Sequence, residues 1–337
     1  MPVYGNYSNT LYLYVLHNAC VWHYSNTLYL CSVTEFFLLG FQVPHTSRII
    51  LFSSFLAAYI LTLTGNIMII MLVSTTRHLH SPMYFFLSHL SFCNIMLSSS
   101  VAPNLLQITL HNGGRLTVTQ CLIQINFFGY STTTECLLLT VMSYDRYVAI
   151  CKPLHYQTIM VFPFCLFLVI LSWIGGLVLT LISTGLLIHL DFCYSGDIDH
   201  FFCDYSPLVQ LSCSDTTVVQ IVVLIVGTPE VIIETTFIIT TYVCIFLAIH
   251  RISTTTGKQK AFSTCSSHLA VVCMYYGTIT AIYIFSSAEH SFSMSKIASL
   301  VYTVVTPFLN PLIYSLRNQD IKNSIKAYWK KYKTKLL

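Results

Sequence analysis

IILFSSFLAAYILTLTGNIMIIMLVS, residues Ile49–Ser74, is a stretch that contains no Asp, Glu, Lys or Arg. A helix of ~20 apolar residues is long enough to cross the hydrocarbon core of a bilayer, so this stretch predicts a transmembrane helix. The whole chain has the same character, because 55% of its residues are hydrophobic and only 8% are charged. Soluble domains carry about 25% charged residues, so we expect most of this protein's surface to face lipid.

Six further stretches of similar length predict additional spans. Four of them lack charged side chains, while the other two contain acids, Glu135 in one and Glu230 and Glu234 in the other. The sequence therefore predicts an all-α membrane protein, a seven-transmembrane helix bundle that occupies residues 49–316. Its predicted spans are residues 49–74, 83–107, 118–150, 162–188, 217–249, 262–286 and 297–316.

The distribution of Lys and Arg predicts how the spans are oriented, because cytoplasmic loops carry an excess of these residues. When successive loops are assigned to alternate sides, thirteen Lys and Arg residues fall on one side, against Arg48, Arg115 and Lys296 on the other. We therefore expect residues 1–48 to form an extracellular segment and residues 317–337 to be cytoplasmic.

The carboxyl-terminal residues 317–337 combine apolar residues at helical spacing, Ile321, Ile325 and Trp329, with lysines on the other faces. This pattern predicts an amphipathic helix that lies along the inner membrane surface. An unstructured basic tail is the alternative. Because the body of the chain has no dense basic run, nucleic-acid binding has little support.

The amino-terminal segment contains a tandem repeat, YSNTLYL, at Tyr7–Leu13 and again at Tyr24–Leu30. It lacks the basic start and the small-residue cleavage site of a signal peptide, so we interpret it as an extracellular extension. The sequon Asn6-Tyr7-Ser8 then predicts glycosylation of Asn6.

Four cysteines are expected on the extracellular side, where disulfides persist. Cys193, Cys203 and Cys213 lie ten residues apart in one acidic loop, and Cys121 begins the third span. Four cysteines allow three pairings, and the sequence does not choose among them. A zinc site that includes His200 is the alternative, but the ten-residue spacing does not match the short ligand pairs of structural zinc sites.

Four motifs lie at the ends of predicted spans: LHSPMYFFLSHLSF at Leu79–Phe92, MSYDRYVAICKPLHY at Met142–Tyr156, KAFSTCSSHL at Lys260–Leu269 and PFLNPLIYSLRN at Pro307–Asn318. Together they make the chain resemble the odorant receptors, a branch of the rhodopsin-like (class A) G-protein-coupled receptors. The resemblance covers about residues 33–328, and the loop around Cys193, Cys203 and Cys213 adds to it. It implies that Cys121 pairs with Cys203 and Cys193 with Cys213.

The resemblance implies a receptor at the plasma membrane that binds a small volatile organic ligand. Its partner would be a heterotrimeric G protein of the stimulatory olfactory type, which raises cyclic AMP, and membrane lipid would surround it. A non-olfactory chemosensory receptor and a transporter are the alternatives, although the spans show no internal repeat of the transporter kind. We expect no enzymatic activity, no cofactor and no metal, because His89 and His268 are too isolated to form a catalytic cluster.

The motifs also imply which residues couple the receptor to its G protein. Asp145 and Arg146 place opposite charges at the inner end of the third span, where a buried Arg requires a partner or water. A fixed topology anchor is the alternative role for this pair. Pro311 removes one backbone hydrogen bond from the seventh helix. The implied activation and coupling residues are Asp145, Arg146, Tyr147, Tyr242, Tyr276, Asn310, Pro311 and Tyr314.

A polar core of Asn66, Asn94 and Glu135 is expected among the spans. The family usually has an aspartate at the position of Asn94, so one carboxylate of the sodium-binding cluster is missing. We therefore expect weak sodium binding or none.

The ligand is expected among the outer halves of the third, fifth, sixth and seventh spans. The residues implied to line its site are mostly apolar or hydroxylated, which suits a small volatile with one polar group. Simple helix packing is the alternative role for each of them, since Gly and Thr are common at helix contacts. They are Phe128, Gly129, Thr132, Thr133, Val226, Glu230, Thr280, Tyr283 and Thr303.

Glu230 and Glu234 stack on one face of the fifth span, one helical turn apart, where two negative charges would repel. Carboxylates at this depth usually face the bundle interior or water. One interpretation is that both are protonated and hydrogen-bonded to neighbours. The other is that Glu230 is ionised and selects ligands that carry an amine or a strong hydrogen-bond donor.

Overall fold

The computed structural model describes residues 13–16, 19–24, 27–29, 33–192, 196–286 and 292–336. Three short strands near the amino terminus form an antiparallel sheet in the order β1-β2-β3. They are β1 (Leu13–Leu16), β2 (Ala19–Tyr24) and β3 (Thr27–Tyr29), and β3 lies within the second copy of the tandem repeat. The predicted glycosylation site Asn6 lies outside the described residues.

Long helices occupy most of the rest of the described chain. In chain order the elements are β4 (Glu35–Leu38), α1 (His45–Thr75), α2 (Pro82–His111), β5 (Gly114–Thr117), α3 (Val118–Cys151), α4 (Tyr156–Ile159), α5 (Phe162–Leu187), β6 (Asp197–Ile198), α6 (Tyr205–Gln210), α7 (Thr217–Arg251), α8 (Thr255–Ser286), α9 (Phe292–Leu300), α10 (Thr306–Arg317) and α11 (Gln319–Leu336). A π-helical turn, Val301–Val305, joins α9 to α10.

Each of the seven predicted spans corresponds to a long helix or helical run. Five are long and apolar enough to cross a membrane by composition alone: α1, α2, α5, α7 and residues 296–315. The other two, α3 and α8, have spanning length but contain more polar residues, such as the run Ser131–Glu135 in α3. The seventh span differs from a simple helix, since α9, the π turn and α10 form it together.

The chain divides into two compact units, which we describe separately. The first, the sheet unit, comprises Met1–Phe52, Pro103–Asn126 and Leu181–Ile225. The second, the helical unit, comprises Ser53–Ala102, Phe127–Thr180 and Val226–Leu337.

The sheet unit is organised by β4, which pairs antiparallel with β5 and parallel with β6. Successive side chains of a strand point to opposite faces, so Phe36 and Leu38 share one face of the sheet, and both are buried. They pack with Phe192 and Ile198 in one apolar cluster. This sheet was not predicted from the sequence.

A tight turn brings the chain from α2 into β5. Asn112 and Gly113 both have positive φ, 60° and 130°, a region that favours glycine. A Cβ atom on Gly113 would lie 2.6 Å from the ring of Phe37 in β4. The glycine therefore allows β5 to approach β4 closely enough to pair.

A disulfide joins Cys121, near the start of α3, to Cys203 in the loop after β6, which confirms that pairing and excludes Cys203 as a zinc ligand. The Gln124 side chain accepts a hydrogen bond of 2.9 Å from the Cys203 backbone N–H. Cys213 is also disulfide-bonded. Its predicted partner, Cys193, lies outside the described residues, so that pairing stays a prediction.

The carboxyl-terminal helix α11 is amphipathic, as predicted, and the alternative of an unstructured tail is wrong. Ile321 is 1% exposed, whereas Lys322 and Lys326 are exposed. Hydrogen bonds fix the helix start, because the Tyr84 hydroxyl lies 2.9 Å from both Asn318 Oδ1 and Asp320 Oδ2. The Trp329 side chain lies outside the described part of the chain.

Breaking the disulfide should destabilise the sheet unit, because the bond constrains an 82-residue separation in the unfolded chain. We expect Cys203→Ser to lower the free energy of unfolding by about 2–4 kcal/mol, measured by thermal or chemical denaturation in detergent. Cys244→Ser, which changes a free cysteine, is the control and should have little effect. Recovery of wild-type Cys203 as an alkylated thiol from non-reduced protein would contradict the bond.

Candidate functional site

Hydroxyl groups from three helical segments of the helical unit meet around Thr132 of α3. The Tyr302 hydroxyl, from the π turn, donates to Thr132 Oγ1 at 2.7 Å. The Tyr275 hydroxyl of α8 donates to the Thr132 carbonyl at 3.1 Å and lies 3.3 Å from the Tyr302 hydroxyl. Cys136 Sγ is 2.9 Å from the Tyr275 hydroxyl. We call these four residues the Thr132 cluster.

Tyr275, Tyr302 and Cys136 of the Thr132 cluster are buried, Thr132 itself is partly buried, and an aromatic ring flanks the cluster. Tyr275 is 0% and Tyr302 4% exposed. Phe128, one turn before Thr132, packs edge-on against the Tyr302 ring with centroids 5.8 Å apart. Phe128 and Thr132 were predicted from the motifs, whereas Tyr302, Tyr275 and Cys136 were not. The adjacent residues Tyr275 and Tyr276 could have indicated the cluster, because neighbouring helix positions point in different directions and each phenol therefore needs its own hydrogen-bond partner.

The second polar contact joins the fifth and sixth spans. The Tyr276 hydroxyl donates to Glu234 Oε2 at 3.3 Å, and Glu234 is 5% exposed. Glu230, one turn earlier in α7, is only partly buried. The two acids therefore have different surroundings: Glu234 lies in a protein contact, while Glu230 remains accessible.

The remaining predicted ligand residues are not all gathered at one point. A Cβ on Gly129 would lie 3.2 Å from Thr180 Cγ2 of α5, which places this glycine at a helix contact. The hydroxyls of Thr280 and Thr303 donate to carbonyls of their own helices, those of Tyr276 and Ser299, each at 2.7 Å.

Two of the other three predicted ligand residues, Thr133 and Val226, are partly buried. The side chain of the third, Tyr283, lies outside the described residues. Among the predicted ligand residues whose side chains the structure describes, Thr132 belongs to the Thr132 cluster and Phe128 to its aromatic flank.

Two of the three predicted polar-core residues, Asn94 and Glu135, meet at Asn310 of α10, while Asn66 bonds to backbone carbonyls. Asn310 Nδ2 donates to Asn94 Oδ1 at 3.1 Å and to Glu135 Oε1 at 3.2 Å, and all three residues are buried. Asn66 Nδ2 donates to the carbonyls of Thr62 and Pro307. In the described part of the chain, no group of three or more His, Cys, Asp or Glu residues could hold a metal ion.

A close helix contact lies beside the polar core. A Cβ on Gly65 would lie 3.0 Å from the ring of Pro311. The glycine thus allows α1 to pack against the proline of α10.

Asp145 and Arg146 form an ion pair near the carboxyl-terminal end of α3. Asp145 is 0% and Arg146 7% exposed. Arg146 Nε donates to Asp145 Oδ2 at 2.8 Å, and the Tyr156 hydroxyl donates to Asp145 Oδ1 at 2.8 Å. Asp145 thus holds the guanidinium while Tyr156 of α4 holds Asp145. No role for Tyr156 was predicted from the sequence.

Three of the four predicted coupling tyrosines, Tyr147, Tyr242 and Tyr276, have bonded or stacked partners other than Arg146, and the partner of Tyr276 is Glu234. The Tyr242 hydroxyl is 2.6 Å from His268 Nδ1, which links α7 to α8. Tyr147 stacks against Tyr144 at 6.5 Å. Tyr314 is buried at 1% exposure. In this structure Arg146 is therefore held by Asp145.

Comparison with known proteins gives consistent relatives. The family model described as Olfactory receptor matches residues 55–331. Olfactory receptor 5P55 of Mus musculus is 46% identical over 295 residues, which cover 88% of this chain and 95% of that protein. Olfactory receptor 5P3 of Homo sapiens is 45% identical over 295 residues, covering 88% and 95%.

A solved structure shares the fold at low sequence identity. Squid rhodopsin aligns with a TM-score of 0.68 and 15% identity, covering 85% of this chain and 81% of that one. Within the described residues, six long helices, a seventh helical run and an amphipathic helix after it agree with these relatives. The chain is a multi-pass membrane protein and not an enzyme, and it belongs to the olfactory receptor family of G-protein-coupled receptors.

Proposed function

We propose that this protein is an odorant receptor that binds a small volatile organic ligand beside the Thr132 cluster and activates a stimulatory olfactory-type G protein, which raises cyclic AMP. It acts at the plasma membrane with its amino terminus outside the cell. One observation carries the proposal: the continuous helix α3 contains both Thr132, at the centre of the Thr132 cluster, and Arg146, whose guanidinium is bonded to Asp145.

The Thr132 cluster and Arg146 lie on the same helix but far apart along it. Fourteen residues separate Thr132 from Arg146, or roughly 21 Å at 1.5 Å per residue. A ligand influences a distant site only by binding two arrangements of the protein with different affinity. At the Thr132 cluster the bonds that a polar ligand would replace are those that join α3 to α8 and to the π turn.

The ligand class follows from the polar groups around the cluster. Hydroxyls of Thr and Tyr both donate and accept, so they suit alcohols, aldehydes, ketones and acids alike. The partly buried carboxylate of Glu230 adds an acceptor of opposite charge to an ammonium group. We therefore propose that amines, or ligands with a strong donor, are favoured agonists.

Arg146 should be required for coupling, because we propose that activation releases its guanidinium from Asp145 and lets it contact the G protein. We expect Arg146→Ala to reach the cell surface and to show no ligand-dependent rise in cyclic AMP. Arg77→Ala, which changes an exposed arginine, should signal normally. Arg146→Ala leaves Asp145 buried without its partner, so a second variant, Asp145→Asn, tests the same ion pair from the other side. It removes the charge that holds Arg146 and should raise basal cyclic AMP. Normal responses from both variants would contradict the proposal.

Glu230→Gln tests how the ligand is recognised, since it removes the charge and keeps the size of the side chain. If an ionised Glu230 pairs with an ammonium group, the potency of amine agonists should fall about tenfold or more, which corresponds to about 1.4 kcal/mol. Neutral odorants of matched size should keep their potency. Asp215→Asn, an exposed carboxylate at the start of α7, is the control. Equal weakening of all agonists, or no amine response in the wild type, would contradict charge recognition.

A further inference from the structure

The junction between α10 and α11 is tied to α2 by one phenol. The Tyr84 hydroxyl, in the first turn of α2, donates to Asn318 Oδ1 and to Asp320 Oδ2, each at 2.9 Å. These contacts join positions 234 and 236 residues apart in the chain. Tyr84 is buried, so water competes little for its hydroxyl. It lies in the motif LHSPMYFFLSHLSF, but no role for it was predicted from the sequence.

Asn318 links the two helices that meet at this junction. It follows α10, where its N–H donates to the Tyr314 carbonyl at 3.1 Å. Its Oδ1 accepts from the backbone N–H groups of Asp320 and Ile321, at 3.0 and 3.3 Å, and so caps the first turn of α11. The Tyr84 hydroxyl therefore bonds to the residue that fixes both the end of α10 and the start of α11.

The helix α11 has further contacts that do not involve Tyr84. His78 Nε2, in the connection between α1 and α2, lies 2.9 Å from Ser324 Oγ. Ile321 and Ser324 lie three residues apart, on one face of α11, and both are buried. Loss of the Tyr84 hydroxyl would therefore release the junction without detaching the helix.

The helix α2 holds α10 at a second point. Asn310 Nδ2 donates to Asn94 Oδ1 at 3.1 Å. Asn94 lies ten residues after Tyr84 on α2, so the two ties are roughly 15 Å apart at 1.5 Å per residue. Along the seventh span, Tyr314 lies midway between Asn310 and Asn318. The segment that carries this predicted coupling residue is thus tied to α2 on both sides.

The Tyr314 hydroxyl is poorly satisfied in this arrangement. Tyr314 is buried, and within the described residues its hydroxyl makes no hydrogen bond. A buried hydroxyl without a partner costs free energy that a bond in another arrangement would recover. Displacement of α10 toward such a partner would break the bonds that Tyr84 makes at the end of the same helix. The two phenols therefore favour different positions of α10.

The backbone of the seventh span allows α10 to move as a piece. The π turn Val301–Val305 precedes α10, and Pro311 within α10 has no N–H to donate. Both irregularities come before Tyr314 in the chain. Arg146 interacts electrostatically with both Tyr84 and Tyr314, so the junction lies close to the ion pair of α3.

We propose that Tyr84 is a positioning residue for G-protein coupling, which holds α10 in the arrangement where Arg146 is bonded to Asp145. Activation then breaks the bonds from Tyr84 to Asn318 and Asp320. Because these bonds stabilise only one of two arrangements, their loss shifts the population toward the other. The inference rests on the proposed function in one respect, that a G protein reads the released Arg146.

Tyr84→Phe tests this role, because it removes the hydroxyl and keeps the ring. In cells that express the full-length receptor, basal cyclic AMP per surface receptor should rise roughly three- to tenfold, as expected when one state loses a hydrogen bond. A merely structural role would instead lower signalling and surface expression together. Tyr59→Phe is the matched control and should leave basal cyclic AMP unchanged. The Tyr59 hydroxyl also bonds between two helices, to Ser99 Oγ at 3.2 Å, but fifteen residues farther along α2.

Asp320→Ala removes one of the two acceptors and keeps the test decisive if Tyr84→Phe does not reach the surface. Basal cyclic AMP should rise in this variant too, by a smaller factor, because Asn318 still accepts from Tyr84. Adding Asp320→Ala to Tyr84→Phe should cause no further rise, since both changes remove the same bond.

Hydrogen–deuterium exchange of the purified full-length receptor in bilayer nanodiscs gives a second readout, which needs no G protein. Backbone amides of residues 312–318 should exchange at least about tenfold faster in Tyr84→Phe, because the end of α10 opens more often. Exchange in Tyr59→Phe should equal that of the wild type.

The two readouts separate a failure of this inference from a failure of the proposed function. Faster exchange in Tyr84→Phe, with no cyclic AMP response from the wild type or any variant, would contradict the stimulatory G protein and support the tie. In a receptor whose wild type signals, basal cyclic AMP that is unchanged or lowered in both Tyr84→Phe and Asp320→Ala would overturn the inference. Unchanged exchange in Tyr84→Phe would overturn it as well.

Discussion

Inside a bilayer each polar group must find its hydrogen-bond partner within the protein, because hydrocarbon offers none. Many hydroxyls in this chain meet the requirement locally, by donating to a carbonyl one turn earlier, as Thr62 does to Ala58 and Thr109 to Leu105. Amides, phenols and carboxylates reach farther and bond between helices. Asn310 and Tyr276 are examples. The larger polar side chains therefore determine which helices of the helical unit are tied together.

The helix α3 contributes to three of these ties, at Thr132, Glu135 and Asp145. Each tie has a partner on a different part of the chain, so a shift of α8 or of the seventh span changes bonds along α3. An interior of this kind favours a few discrete arrangements over continuous deformation, because breaking one bond leaves a buried group unsatisfied. The π turn adds to this, since π-helical turns often occur at functional sites and this one carries Tyr302.

The spans and the carboxyl-terminal helix were predictable from the sequence because their signals are local: long apolar runs, Lys and Arg bias, and helical periodicity. The sequence also predicted a polar core of Asn66, Asn94 and Glu135, but it assigned Asn310, which bonds to both Asn94 and Glu135, to coupling, because that contact depends on packing. The sheet around β4 was not predictable in this way. Its strands are two to four residues long and are joined across long stretches of chain, so no periodic pattern marks them. Likewise, Tyr302 and Tyr156 find their partners only through tertiary structure.

The helix α7, which forms the fifth span, lacks a backbone hydrogen bond close to Glu230, and this affects how a ligand bound there would act. Pro229 lies inside α7 directly before Glu230, and proline carries no N–H to donate to the carbonyl four residues earlier. The backbone ladder of α7 therefore lacks one bond beside its accessible acid. One turn later Glu234 is fixed by Tyr276 of α8. A ligand that engages Glu230 thus acts on the less constrained turn of α7, adjacent to the turn that is bonded to α8. Any adjustment of that turn must be accommodated at the Glu234–Tyr276 contact, which gives the ligand a physical route to the sixth span.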